Sequence, residues 1–508
     1  MTVSACLWLG LFPLLQFGSY STITYNKWTF MLLLACFSLF SMVNGRHTER
    51  IGHTGGKAFY TPVILAAAFT GWIVLSCLIS PYPSRTWLFG SSARMEGLLT
   101  QLCYIGLFFM FAFRRVQRKP VLISATAGII CYCVVVILQR SGVNVFGLYP
   151  RGRSYATTPE FQGTIGNIDM AVGYLCLASG LFLTEIVSIV PELINHSGQN
   201  PQRPMLQLSK LRRRFGNSDR NPLSTNHSSP STIHYPLTTD HCPLSTVHYL
   251  IALSAGLGTA VYLIVTMNVQ FGLITLAVLS LLTLLRFLPR RLWKPVLIIL
   301  AVLVMCMIWF WPGQSGGIWE LKEILHGRVL YSFGSNRLGV WIYSMQMAPE
   351  RLLTGSGSGT FIFRFRSFMN QNGYQLPTSQ GGVHLGTNFD APHNEYIAYL
   401  INNGLPAVLL FAALVLAVAF ARRKPAGSKV RVSPADRICT LSPWAAAVVC
   451  YAVQAFFSFS VCLVAPMFWV VAGICVSDVS AVTPAAPPEH TDRPRRSSPH
   501  SRKKAGRS

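Results

Sequence analysis

The chain has 508 residues, of which 51% are hydrophobic and 12% charged, and its mean hydropathy is +0.42. Soluble domains carry about 25% charged residues, so this composition excludes an ordinary soluble protein. Repeated apolar runs of roughly 20 residues match the length that a helix needs to cross the hydrocarbon core. The sequence predicts an all-α polytopic membrane protein.

The formal net charge of +25 could point to a nucleic-acid partner, but the positions of the cations indicate otherwise. Most of the 42 Lys and Arg residues fall in alternate connecting segments, such as 114–119, 286–294 and 422–437, and in the tail. Cytoplasmic segments of membrane proteins carry such an excess. We therefore predict cytoplasmic N- and C-termini, contact with membrane lipids and no nucleic-acid partner.

The apolar runs, taken in chain order, predict about twelve transmembrane helices. They lie near residues 5–20, 28–44, 62–80, 97–113, 121–139, 169–190, 249–268, 270–288, 295–312, 399–421, 440–459 and 461–478. No small-residue cleavage site follows the first run, so we expect an anchor and not a removable signal peptide. Its Pro13 is tolerable inside a membrane helix. The predicted membrane blocks are 1–190, 249–312 and 399–478.

Two cytoplasmic segments are predicted to be disordered: the insertion 191–248 and the basic tail 479–508. A seven-residue repeat in the insertion places four histidines at equal spacing: His227, His234, His241 and His248. They could form a metal-binding ladder, but this low-complexity composition buries too little apolar surface to fold. The 13 cysteines contain no CxxC pair and indicate no zinc site. We predict no metal and no cofactor.

The long outer segment 313–398, between predicted spans nine and ten, is where we expect the chemistry. Loops of this length are usually functional. Arg337 follows a Gly-Ser-Asn capping signal, and a guanidinium at a helix N-terminus suits a phosphate. An ordinary capping-turn arginine is the alternative. Gly357 and Gly359 lie in GSGSGT, which lacks the Lys-[Ser/Thr] of a nucleotide loop; we assign them to close substrate approach.

The same segment ends in Asp390-Ala-Pro-His393-Asn394-Glu395-Tyr, at a predicted junction of loop and helix. An imidazole there could accept a proton from an acceptor hydroxyl, with Asp390 or Glu395 orienting it. We assign Asn394 to substrate binding. The alternative is a helix-cap histidine without a catalytic role.

Two shorter outer loops add polar groups at the membrane boundary. Arg94 and Glu96 precede the fourth span, where Glu96 could hold the arginine fork on a phosphate. The alternative is an interfacial ion pair that anchors the helix. Asn167 precedes the sixth span, and we assign it to substrate binding.

These motifs resemble the O-antigen ligase/polymerase family of bacterial membrane glycosyltransferases, particularly its ligase-like members. The matching segments, in chain order, are 94–100, 163–167, 336–341, 353–361, 392–396, 404–406 and 452–469. The twelve-span layout with one large outer loop is also similar. The chain departs by its histidine-repeat insertion and by Ile168-Asp169, where relatives often carry Pro-Asn or Arg-Asn. That departure weakens a role for the loop around Asp169.

The resemblance implies a GT-C-like fold and transfer of a glycan from undecaprenyl diphosphate to an acceptor, outside the bacterial cytoplasmic membrane. Arg337 and Arg94 match the diphosphate-binding arginines, and His393 matches the histidine of the family loop. We expect a metal-independent, inverting transfer that Glu96, Asp390 and Glu395 support.

Three other functions remain open. A repeat-unit polymerase would share fold and donor but usually has two sizeable outer loops. A transporter or flippase of lipid-linked sugar would carry ionisable residues at mid-membrane depth. A non-catalytic membrane protein would recruit partners through the insertion.

Overall fold

The computed structural model describes residues 1–44, 57–198, 243–377, 383–385, 389–421 and 441–480. Within these ranges the regular structure is helical apart from two short antiparallel hairpins. Most of the predicted insertion, with His227, His234 and His241, lies outside the described residues, as does the tail after residue 480. His248 is described and lies in a helix.

The first half of the chain forms seven helices and one hairpin among the described residues. They are α1 (Thr2–Cys6), α2 (Ile23–Asn44), α3 (Lys57–Leu78), α4 (Ser84–Phe89), α5 (Leu98–Ala112), α6 (Arg118–Arg140), β1 (Phe161–Gln162), β2 (Gly166–Asn167) and α7 (Ile168–Gly198). In the hairpin Phe161 pairs with Asn167, and Gln162 with Gly166.

The second half holds the remaining helices. They are α8 (Pro243–Met267), α9 (Gln270–Phe287), α10 (Trp293–Trp309), α11 (Gly317–Leu325), α12 (Arg337–Met347), α13 (Phe361–Asn372), β3 (Gln375–Pro377), β4 (Val383–Leu385), α14 (Glu395–Asn403), α15 (Leu405–Ala419), α16 (Pro443–Ala455) and α17 (Ala465–Ser480). Helices α11 to α14 show that the segment 313–398 carries short helices of its own.

Every predicted apolar run coincides with an apolar helix. Among the described residues, seven helices are long and apolar enough to cross a membrane: Tyr20–Asn44, Ala58–Leu78, Arg118–Arg140, Ile168–Val190, Thr246–Met267, Gln270–Phe287 and Arg290–Trp309. Five shorter apolar helices cover the other predicted spans: Thr2–Leu14, Leu98–Ala112, Leu405–Ala419, Pro443–Ala455 and Ala465–Asp478. The chain is a multi-pass membrane protein; the count of twelve stays a prediction.

The first helix ends earlier than the sequence predicted. After α1 the chain winds into a wider π-helical turn over Leu7–Leu11 and a 3₁₀ turn over Phe12–Leu14, so the span near 5–20 stops at Leu14. Because the helix ends at Leu14, its last carbonyl groups lack N–H donors from a following turn. Lys27 of α2 is fully buried and donates to the carbonyls of Phe12 and Pro13, at 2.8 and 3.0 Å.

Small residues let the central helices approach one another closely. Helix α7 packs along α16, and α5 packs along α17. A Cβ at Gly180 of α7 would lie 2.8 Å from the Cα of Ala447 in α16. Membrane helices associate through such backbone contacts because lipid offers no hydrophobic driving force between them.

An aromatic cluster beneath the outer surface fixes helix α14. Tyr399 contacts Phe69 of α3 and Phe411 of α15, with ring centroids 5.3 and 4.8 Å apart. Phe411 in turn contacts Trp469 of α17 at 6.1 Å. Aromatic packing of this kind holds α14, and with it the Pro-His-Asn-Glu motif, on three helices of the bundle.

The junction between α14 and α15 requires glycine. Gly404 has φ +81°, and a Cβ there would lie 1.9 Å from the carbonyl oxygen of Leu353. We predict that Gly404→Ala destabilises the protein by roughly 2 kcal/mol more than Gly142→Ala, because overpacking adds to backbone strain. Gly142 is the matched control, with φ +90° and no atom within 4 Å of the place that a Cβ would take. Thermal unfolding in detergent measures the difference; equal melting temperatures would contradict it.

Candidate functional site

Arg94 forms a two-pronged ion pair with Asp390. Its Nε and Nη2 donate to Asp390 Oδ2 and Oδ1, at 2.7 and 3.0 Å, and its guanidinium lies 4.5 Å from the centre of the Phe459 ring. The expectation that Glu96 holds this fork is wrong. Met95 has φ +54°, which turns the backbone between the two side chains, and Glu96 bonds elsewhere.

Arg337 begins α12, as the sequence predicted, and its Nη2 donates to Asp169 Oδ2 at 2.6 Å. Asn336 precedes it in the left-handed region, with φ +69° and no side-chain capping bond. Asp169 stands in the first turn of α7, and its N–H donates to Asn167 Oδ1 at 2.8 Å. Asn167 therefore shapes the turn that presents Asp169 to the arginine.

His393 lies close enough to Arg94 and Arg337 for the charge of each to lower its pKa. Its ring meets Phe459 edge-on, with centroids 4.9 Å apart, and its Nδ1 is buried without a hydrogen-bond partner among the described residues. Burial, together with the charges of Arg337 and Arg94, lowers the pKa of His393 to about 3, against the opposing charge of Asp390. The imidazole is therefore neutral.

The expected orienting contacts of His393 are not formed. Asp390 bonds to Arg94, and Glu395 accepts a hydrogen bond from Tyr451, so neither carboxylate bonds to the imidazole. The turn is held instead by Trp341, whose Nε1 donates to the Pro392 carbonyl at 2.7 Å.

Asn394 caps helix α14. Its side-chain oxygen accepts from the Ile397 N–H at 3.0 Å, and the residue is 2% exposed. This bond satisfies one of the free donors at a helix N-terminus. A buried capping role explains Asn394 without substrate contact.

Glu96 and Glu395 lie in the same region and form no ion pair among the described residues. Glu96 accepts from the Tyr104 hydroxyl at 2.7 Å and from Gln101 Nε2 at 3.2 Å. Burial raises the pKa of Glu96 to about 7, against the Tyr104 hydrogen bond and the charge of Arg94. Burial raises the pKa of Glu395 to about 8; the Tyr451 bond opposes this, and the charge of Glu96 adds to it.

These groups line one cleft of about 60 Å³. Arg94, Asp390, Glu96 and Glu395 all face it, together with Phe459. The cleft thus combines a cationic fork, two carboxyl groups and an aromatic wall. His393 and Arg337 are not among its lining residues, although Pro392, next to His393, is.

The glycine loop packs against protein segments. The N–H groups of Ser356 and Gly357 both donate to the Asn402 carbonyl, at 2.9 and 2.6 Å. A Cβ at Gly357 would lie 2.9 Å from Ser80 Oγ, and one at Gly359 would lie 2.7 Å from the Gly90 Cα. The close approach at Gly357 is therefore to a serine side chain, and that at Gly359 is to neighbouring backbone. Gly359 also lines the cleft.

Sequence reasoning missed the partners of the charged groups. The departure of Asp169 from the family pattern argued against a role for it, yet it binds Arg337. Its position at the outer end of a span, on the side of Arg337, was the available signal. Tyr104 and Tyr451 lie inside apolar runs, where aromatic residues are too common to single out. No group of three or more His, Cys, Asp or Glu that could hold a metal occurs in the part of the chain that the structure describes.

Residues 255–412 match a family model described as O-antigen ligase. The matched region runs from within α8 to within α15 and contains Arg337, Asp390, His393 and Glu395. Arg94 lies outside it but pairs with Asp390 inside it. No curated protein matches the chain.

The raised pKa of Glu395 predicts a pH-dependent stability. The folded protein holds this proton more tightly than the unfolded chain, so the stabilisation is complete below pH 4.5 and is lost as the pH rises through about 8. We expect the melting temperature in detergent to fall between about pH 6.5 and 8, the part of this window above the ordinary pKa of histidine, and the fall to be smaller in Glu395→Gln. His393, lowered from 6.5, does not titrate in this window. Exposed Glu160→Gln is the control; equal slopes in all three proteins would refute the assignment.

Proposed function

We propose that this chain, whose residues 255–412 match the O-antigen ligase family, transfers a glycan from undecaprenyl diphosphate to an acceptor at the outer face of the bacterial cytoplasmic membrane. The observation that carries the proposal is the convergence of Arg94 and Arg337 on His393. These arginines come from distant parts of the chain, and both lower the pKa of the same imidazole.

A glycan carried on a diphosphate leaves as a multiply charged anion. Fixed cations near the departing oxygen lower the barrier because they need no reorganisation as the charge develops. Guanidinium groups suit this task because their planar forks match phosphate oxygens. Arg94 and Arg337 are the cations that we assign to the diphosphate.

The carboxylate partners leave donors free for the substrate. A guanidinium carries five N–H donors. Arg94 uses Nε and Nη2 for Asp390, and Arg337 uses Nη2 for Asp169, so each retains an Nη1 group outside its ion pair. In the proposed complex Asp390 and Asp169 hold the forks in place while the remaining donors bind phosphate oxygens.

We assign His393 to the reacting centre next to these arginines. A neutral imidazole can donate from one nitrogen and accept at the other. Burial and the charges of both arginines keep this imidazole neutral, so His393 positions the acceptor hydroxyl by a hydrogen bond.

The acceptor decides between a ligase and a polymerase. The outer segment between α6 and α7 holds only a short hairpin among the described residues, whereas that between α10 and α15 holds four helices. One large outer segment favours the ligase, because polymerases of the family usually have two. Supplying a non-polymeric acceptor and a second lipid-linked repeat unit in parallel assays distinguishes the two products.

Loss of Arg337 should abolish most transfer. We expect Arg337→Ala to reduce the rate by roughly 10²–10³-fold, the scale of removing one preorganised donor, and Arg337→Lys to restore little because it lacks the fork. Purified protein, an undecaprenyl-diphosphate glycan and candidate acceptors make up the assay. Arg151→Ala is the control, an exposed arginine in the outer segment between α6 and α7. Undiminished transfer in Arg337→Ala would end the proposal.

Removal of residues 199–242 should spare transfer. Helices α7 and α8 pack along each other, and the Tyr249 hydroxyl donates to Glu185 at 3.2 Å, so the flanking helices hold together without the insertion. We expect a variant with a short Gly-Ser linker in its place to transfer glycan within about twofold of the wild type. A folded but inactive linker variant would favour the recruiting function instead.

A further inference from the structure

The buried part of the cleft holds Glu96 and Glu395, which come from two distant segments. Glu96 ends the loop before α5, and Glu395 is the first residue of α14. Both line the cleft, next to the Arg94–Asp390 pair. Carboxyl groups facing one space repel each other when ionised, and the charge of Glu96 accordingly raises the pKa of Glu395.

One carboxyl oxygen in this pair has no partner among the described residues. Tyr451 donates to Glu395 Oε2 at 3.0 Å, whereas Oε1 is buried without a hydrogen bond from any described group. Glu395 as a whole is 1% exposed. Leaving a buried oxygen unpaired is destabilising, and a hydroxyl from a bound acceptor would complete its bonding.

The groups packed around the pair leave this oxygen as the open position. From α5, Tyr104 and Gln101 donate to Glu96. From α14, Tyr399 donates to Gln101 Oε1 at 3.3 Å. Cys462 follows α16, contributes a backbone hydrogen bond to Glu96 and is fully buried. Both carboxyl oxygens of Glu96 therefore accept hydrogen bonds, whereas Glu395 has one oxygen that accepts none. Of the two glutamates, Glu395 is the one that can bond to a substrate.

The charge of Arg94, which lines the same cleft as Glu96 and Glu395, is already paired with Asp390. Arg94 donates two hydrogen bonds to Asp390, so its charge already has a carboxylate partner. Neither Glu96 nor Glu395 forms an ion pair within the described ranges. The pKa values of these two carboxyl groups are therefore raised, whereas that of His393 is lowered.

We propose that Glu395 is a catalytic base that accepts the proton of the acceptor hydroxyl through Oε1, with Glu96 as the neighbouring carboxyl that makes it basic. The inference rests on the proposed function and names the group that takes the proton. In the step the acceptor O–H bond breaks, the proton moves to Glu395, and the oxygen bonds to the anomeric carbon. The bond from that carbon to the diphosphate oxygen breaks, and undecaprenyl diphosphate leaves with the electron pair.

The test separates transfer from donor binding. Glu395→Gln keeps the size and the Tyr451 contact but cannot take a proton. We expect the rate of glycan transfer to fall by roughly 10²-fold or more, the usual contribution of a general base, and binding of undecaprenyl diphosphate to stay within about twofold of the wild type. Glu160→Gln, an exposed outer glutamate, should match the wild type in both.

The Glu96→Gln variant tests the pairing. Without the charge of Glu96 the pKa of Glu395 falls, so the rising limb of kcat/KM with pH should move to lower pH. A role confined to folding would not shift this limb.

The outcomes are distinct. Wild-type protein that transfers no glycan overturns the proposed function and this inference with it. Active wild type together with Glu395→Gln of more than half its rate overturns the inference alone. Parallel loss of donor binding and transfer in Glu395→Gln, or an unshifted limb in Glu96→Gln, also refutes it.

Discussion

A guanidinium group at the edge of a hydrocarbon layer needs an anionic partner, and this requirement organises the candidate site. Arg94 joins the loop before α5 to the turn before α14 through Asp390, and Arg337 joins α12 to α7 through Asp169. Removing one partner of such a pair leaves a desolvated charge, which costs far more than the pair contributes. The side chains proposed to bind the diphosphate therefore also dock the outer segment on the helices.

The irregular backbone around the site is satisfied by specific donors. Membrane-embedded backbone cannot leave carbonyl groups unpaired, because no water replaces the missing bonds. At the end of α14, Asn402 accepts from two loop N–H groups, and Trp72 Nε1 donates to the Asn403 carbonyl at 2.9 Å. Arg364 donates to the carbonyls of Ile401 and Met347, at 3.2 and 2.7 Å. With Asn394 capping its start, helix α14 is fixed at both ends, which sets the position of Glu395.

The elements with local signals were predictable, and their long-range partners were not. The apolar runs located the helices, and Pro-His-Asn placed the start of α14 because proline and a capping asparagine act over one turn. Arg94 pairs with Asp390 and not with Glu96. This pairing depends on the turn at Met95 and on contact with a segment 296 residues away. Lys27 was also unforeseen, since its buried position follows from the carbonyls that the end of the helix at Leu14 exposes.

Stabilising a departing anion and accepting a proton need opposite electric fields. Cations that hold a diphosphate lower the pKa of any base beside them, and His393 shows this effect between Arg94 and Arg337. A base with high proton affinity must therefore lie where those cations are balanced. The Arg94–Asp390 pair is close to neutral as a unit, so its field falls off faster than that of a free cation. Burial raises the pKa of both glutamates, and the charge of Glu96 adds to the rise at Glu395. The proposed base therefore lies in the cleft, whereas Arg337 and His393 are outside its lining.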